Sequence, residues 1–344
     1  MKKLFLVFFI LLFAYPCFGA SSRVLPTSYN ESTYGDATRD YTSLATWEAA
    51  TDTNLVTATA GEVLTCYDDS TTYDDRVTMA GATTSSAYFR VIRAVSGSRG
   101  TPTVGVRFEK LNNTVNTTPF IISEDYSSTQ DIAVKSTTVT DGVVCNGIIS
   151  SSNYTKILGC TVYDVTGTNI RACGIVFYGG ATENVVANCF IDNTYGGDSN
   201  KTANIRFSVT AGTKTFYLYN NTITNCNYYG VEFNTVGGTT VCNTKNCVVQ
   251  GNGTNIGALG SGALTHSQTT NVTSGVTFAA DDYHLASTDT GAIDNGTDLS
   301  SDGTFAFDDD IDGDTRTGDW DVGCDEYEAE AGVTGHGMGM FFSY

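Results

Sequence analysis

The densest chemistry in this chain is acidic. From Asp302 to Glu328 stand eleven Asp or Glu and one base, Arg316. Inside that stretch runs Asp308-Asp-Asp310-Ile-Asp312-Gly313-Asp314. Carboxylates at alternate positions with a Gly turn form the first half of a calcium loop, where oxygen ligands wrap a hard cation. The twelfth position is Asp319, whose reach is shorter than that of the usual Glu. Asp308, Asp310, Asp312, Asp314 and Asp319 are therefore the candidate metal ligands, and Ca2+ the candidate ion. The alternative is a turn at Asp312-Gly313, with Arg316 paired to Asp321 or Glu326.

Two further sets of residues have a chemical reading. Arg206 and Glu232 occupy the same position of successive repeats, described below, and are the candidate catalytic residues. A lyase needs a Lys or Arg base on an outward strand face near a charge neutraliser; a glycosidase needs two carboxylates. The simpler reading of Arg206 and Glu232 is a cross-strand ion pair. Tyr217, Tyr219 and Tyr229 are candidate carbohydrate-binding aromatics, because sugar rings stack on such faces. Their alternative is ordinary strand tyrosine with its hydroxyl in water.

The elements that position these residues follow from a repeat. Ile157-Leu-Gly-Cys160-Thr-Val162, Val186-Ala-Asn-Cys189-Phe-Ile191, Leu218-Tyr-Asn-Asn221-Thr-Ile223 and Thr244-Lys-Asn-Cys247-Val-Val249 share one phrase, recurring at nearly even spacing. A second phrase keeps step: Gly147-Ile148, Gly174-Ile175, Asn204-Ile205 and Gly230-Val231. Each unit has short alternating runs of Val, Ile, Thr, Tyr and Phe separated by Gly, Asn, Asp and Ser, the pattern of strands and turns. One such unit cannot bury its apolar face alone, and stacking buries it. The prediction is an all-β parallel β-helix, right-handed by the general preference of crossover connections.

Cys160, Cys189, Asn221 and Cys247 then form one inward ladder, and Val165, Thr194, Cys226 and Asn252 a second. A disulfide framework or a metal site is the alternative for the cysteines; no CxxC pair occurs, and of the ten cysteines all but Cys17 lie beyond residue 19, which leaves an odd number. Thr42 to Thr51 predicts a short helix, with Leu44, Trp47 and Ala50 on one face, that plugs the first coil.

Lys2 and Lys3, an apolar run from Leu4 to Tyr15, and Cys17-Phe-Gly19 read as a secretory signal peptide. No other stretch approaches the length of a membrane span. The net charge of −19 argues against nucleic acid as a partner. Triplets such as Asn153-Tyr-Thr155 and Asn271-Val-Thr273 are expected by chance in a chain so rich in Asn and Thr. The predicted organisation is signal peptide 1–19, leader 20–40, parallel β-helix with N-terminal cap 41–264, closing segment 265–328 and flexible tail 329–344.

Asp282-Tyr-His-Leu285, Gly291-Ala-Ile-Asp294-Asn-Gly296, Asp312-Gly-Asp-Thr-Arg316 and Asp321-Val-Gly-Cys-Asp-Glu326 resemble the C-terminal closing segment, of the choice-of-anchor type, of secreted bacterial right-handed β-helix proteins with a pectate-lyase-like fold. Asp40 to Glu48 and Tyr88 to Gly100 resemble their N-terminal part. Cys324 stands where that group has Ala. The resemblance implies the fold and secretion or surface display, but no single activity, because this fold hosts lyases, glycosidases and adhesins alike. Gly335-His336-Gly337 copies a tripeptide of β-helix polygalacturonases, without its companion Asp residues. The expected function is a non-catalytic, carbohydrate-binding, adhesive or structural protein of the cell exterior with polysaccharide as partner. The alternative is a polysaccharide lyase or glycoside hydrolase.

Overall fold

The computed structural model describes residues 21–328 except 112–117, 141–142, 169–170, 180–181, 200 and 281–282. The predicted signal peptide and tail, with His336, lie outside the described residues. The strands stack into three parallel sheets that build a β-solenoid of about eight turns. The nine-stranded sheet runs, coil by coil, through Tyr29–Tyr34, Gly61–Cys66, Arg90–Ala94, Ser127–Gln130, Lys156–Leu158, Asn184–Ala187, Thr213–Tyr219, Thr239–Lys245 and Ala263–Thr269. A seven-stranded sheet, the phenylalanine sheet, includes Cys145–Ser150, Ala172–Tyr178, Ala203–Val209, Tyr229–Thr235 and Thr254–Leu259. The third sheet includes Ala133–Thr138, Thr161–Gly167, Phe190–Asp192, Thr222–Thr224 and Val248–Gln250.

Two features of the repeat phrase explain its residue types. The residue before each ladder position turns the chain through the left-handed region: Gly159 (φ 60°), Asn188 (50°), Asn220 (50°), Asn246 (51°) and Thr270 (55°). Gly and Asn reach that region most easily, so in all four copies of the phrase the ladder residue is preceded by Gly or Asn. The ladder residue then points inward and donates to a carbonyl of the coil before it. Cys160 Sγ reaches Thr129 O at 3.4 Å, Cys189 Sγ reaches Ile157 O at 3.4 Å, Asn221 Nδ2 reaches Val186 O at 2.8 Å and Cys247 Sγ reaches Leu218 O at 3.3 Å. Asn221 Oδ1 accepts the backbone N–H of Cys189, and Asn271 Oδ1 that of Cys247. Asn271 is a fifth rung beyond the point where the phrase fades. Burial pushes the Cys247 thiol up to about 12, so it stays a protonated donor. All nine described cysteines are buried, and no disulfide joins any two of them. The second ladder holds at its last two rungs, where Asn252 Oδ1 accepts the Cys226 N–H and its Nδ2 donates to Ile223 O. Val165 fills the same row by packing alone.

Between the sheets, Ile157, Val186, Leu218, Ile175, Ile205 and Val231 share one core with a stack of Phe177, Phe207 and Phe233, whose rings lie 5.5 and 5.3 Å apart. The predicted cap is a helix over Leu44–Thr51 with Leu44 and Trp47 fully buried; Ala50, expected on the same face, is exposed, and Thr51 is buried instead. Its first N–H is capped by Asp75 Oδ2 at 2.7 Å rather than by Thr42 or Ser43. Residues 20–40, read as a leader, contain the first strand of the nine-stranded sheet, Tyr29–Tyr34, paired with Gly61–Cys66. Its polar side chains hid it: an edge strand is held by backbone pairing and needs little apolar burial. The last strand continues to Thr269, past the predicted limit at 264.

The closing segment has little regular structure and folds back over the outside of the coils. Leu299, Phe305, Phe307 and Trp320 cover the outward Leu158, Val185, Ala187 and Tyr219 of the nine-stranded sheet. Arg316 is buried beneath it, paired with Glu326 at 2.9 Å and donating to Gly323 O and Asp321 O.

Candidate functional site

The three candidate sets are dispersed by the fold. Arg206 and Glu232 are in register on neighbouring strands and pair at 2.7 Å, as the spacing implies. They are buried, with side chains 3% and 0% exposed, so neither faces an open groove. Burial pushes the Glu232 carboxyl up to about 7, against the pull of Arg206 and Arg171. Of the tyrosines, Tyr219 is buried under Leu299 and Trp320, and Tyr229 lies on the phenylalanine sheet, away from the other two. Tyr217 is half-buried and faces a groove described below.

Asp310, Asp312 and Asp314 line one cavity, whereas Asp319 is exposed outside it. Asp310 Oδ1 accepts the backbone N–H groups of Asp312, Gly313 and Asp314 at 2.9 to 3.0 Å, which makes it the organiser of the turn. Asp312 pairs with Arg99 at 2.7 Å. The Asp308 carbonyl accepts the Arg316 N–H at 2.7 Å.

The groove lies on the outer face of the nine-stranded sheet and encloses about 340 Å³. Its floor is the row Lys156, Val185 and Tyr217, in register on successive coils, with Ser127 of the preceding coil beside it. One wall is Thr304 and Phe305 of the closing segment; Ser86 and Phe89 close its N-terminal end. The other wall is a further row of left-handed corner residues: Tyr126 (φ 51°), Tyr154 (59°) and Glu183 (54°). Elsewhere the solenoid fills such corners mainly with Asn, Asp or Gly, and a bulky side chain there is strained by about 1–2 kcal/mol. Here it presents two tyrosine rings stacked at 4.4 Å and 6°. Asp125 accepts the backbone and side-chain N–H of Asn153, and Asn184 Oδ1 accepts the Thr155 N–H at 2.7 Å, fixing the corners that carry both rings.

Lys156 is the cation of the groove. Its Nζ lies 5.4 Å from the centre of the Phe305 ring, and it makes no ion pair among the described residues. Burial without a counter-charge holds its amine below the ordinary lysine range. The side chains that meet here are thus flat aromatic surface, one amine, one carboxylate and hydroxyls. Five coils contribute, from Phe89 to Tyr217, about 19 Å at about 4.8 Å per coil.

Tyr126, Tyr154, Lys156 and Glu183 were not singled out in the sequence. Their signal was present: Asp125-Tyr-Ser127 and Asn153-Tyr-Thr155 are one motif repeated in step with the coils. The second of these is a triplet that composition alone explains away.

No family model, curated protein or solved structure matches this chain. Fold and groove define it as a parallel β-solenoid with an elongated aromatic groove on one sheet.

Proposed function

We propose that this protein is a secreted or cell-surface β-helix protein, right-handed and pectate-lyase-like, that binds extracellular polysaccharide without cleaving it. The groove on the nine-stranded sheet is its binding site. The carrying observation is the corner row Tyr126, Tyr154 and Glu183, where the chain accepts backbone strain to place rings and a carboxylate along a groove. Observed strain is a reason to look for function. Sugars offer apolar ring faces to Tyr and Phe and hydroxyls to Lys156 and Glu183. The length of the groove suits a chain rather than a point ligand. The net charge of −19 disfavours nucleic acid, and no helix among the described residues is long and apolar enough to cross a membrane. A lyase would need a second positive group beside Lys156, and a glycosidase a second carboxylate beside Glu183; the described lining supplies neither.

A glycan array read with the full chain and with Tyr154→Asn and Lys156→Ala tests this reading. Asn suits a left-handed corner, so Tyr154→Asn keeps stability within about 1 kcal/mol while removing the ring. The expected result is a polysaccharide bound by the wild type and at least tenfold more weakly by each variant. No unsaturated uronate and no new reducing ends are expected from that polysaccharide. Equal binding by wild type and both variants would remove the groove as the site.

A further inference from the structure

The closing segment brings together a second set of groups that polysaccharide binding does not use. His284, Asp312 and Asp325 each offer one ligand atom, and the three atoms lie within 4.8 Å of one another. They come from three separate stretches of chain. His284 Nε2 and Asp312 Oδ2 share a hydrogen bond of 2.8 Å. A cavity of about 260 Å³ opens onto all three and is also lined by Asp310, Asp314, Glu326 and Glu328.

We propose that His284, Asp312 and Asp325 form a site for a divalent transition-metal ion, with zinc the best fit. The outer contacts of the two carboxylates are already made. Asp312 Oδ1 accepts from Arg99 Nη2 at 2.7 Å, which leaves Oδ2 for a metal. Asp325 Oδ2 accepts the Leu285 N–H at 2.7 Å. Asp325 is only 4% exposed, and its other oxygen accepts no hydrogen bond among the described residues. Such outer partners fix and orient ligand groups. A histidine–aspartate pair alone would not require this third, buried carboxylate.

The donor set selects the metal class. One imidazole and two carboxylates, with a cavity for water at a fourth position, suit zinc. Calcium takes six to eight oxygens, and the carboxylate most central to the alternating motif, Asp310, is engaged by three backbone amides. The metal would replace the proton that now joins His284 to Asp312. It would tie residues 284–285, the 310–314 turn and Asp325 together and, through Arg99, to the coils.

The test uses the full, tag-free chain stripped with chelator and dialysed. Calorimetry with Zn2+ is expected to show one ion per chain and a raised melting temperature. Co2+ is expected to give visible d–d absorption that Zn2+ abolishes. His284→Gln and Asp325→Asn, each checked for a cooperative melt without metal, are expected to weaken Zn2+ at least tenfold. Should either variant fail to fold, the cobalt spectrum of the wild type decides. The proposal is overturned by the absence of Zn2+ and Co2+ binding, by undiminished binding in folded His284→Gln, or by a site that takes Ca2+ in preference to Zn2+.

Discussion

Arg206→Ala is expected to destabilise the protein by about 3–5 kcal/mol at pH 8, because it leaves the Glu232 carboxylate buried without its counter-charge. The pair is fully enclosed, and Glu232 Oε1 already lacks a hydrogen bond. The loss should shrink at pH 5. In the fold Glu232 is held up to about 7 from an ordinary value of 4.5, with Arg206 and Arg171 opposing the shift and Asp198 adding to it. The folded state therefore binds more protons than the unfolded chain between about 4.5 and 7, and this group's contribution falls as pH rises through that window. Removing Arg206 raises the carboxyl further, so the penalty grows with pH. Glu232→Gln is expected to flatten the wild-type decline. Urea unfolding at pH 5, 6, 7 and 8 checks all three chains; an Arg206→Ala loss of under about 1 kcal/mol at pH 8 would contradict an enclosed pair.

The inward ladder gives the second large effect. Cys189→Asp places a carboxylate against the carbonyl oxygens of Ile157 and Ala187, 3.4 and 3.2 Å from the present sulfur. A buried charge facing acceptors, with no ion-pair partner among the described residues, is expected to destabilise by more than about 4 kcal/mol or prevent folding. Cys189→Asn is expected to be tolerated within about 1.5 kcal/mol. Its amide can donate to Ile157 O as Asn221 donates to Val186 O. Thermal melts of both variants check this, and equal stability would mean that position 189 does not face the coil interior.

What was legible in the sequence was whatever the solenoid repeats. Cys160, Cys189, Asn221 and Cys247 share one steric slot in each coil, so their spacing reported the stacking directly. The pairing of Arg206 with Glu232 followed from the same register, but their burial did not, because the repeat carries no information about what covers an outward face. Tyr219 illustrates this: it points outward as its strand requires, and Trp320 and Phe307 of the closing segment cover it. The groove was missed for a related reason. Tyr126 and Tyr154 sit at corners where Asn and Gly are the expected residues, so they matched no turn signal. Lys156 has a depressed amine because it is buried, in a groove whose wall is Phe305 of the distant closing segment. The metal-ligating cluster is likewise assembled by folding: His284 and Asp325 flank Asp312 from separate stretches of the chain, at no spacing that a linear motif encodes.

Hydrogen–deuterium exchange, with and without a polysaccharide the protein retains, tests the central claim most directly. Slower exchange is predicted at the corners 126–127, 154–156 and 183–185 and at residues 304–305, with the phenylalanine sheet unchanged. Protection confined to the phenylalanine sheet or the third sheet, with the groove unaffected, would contradict the account.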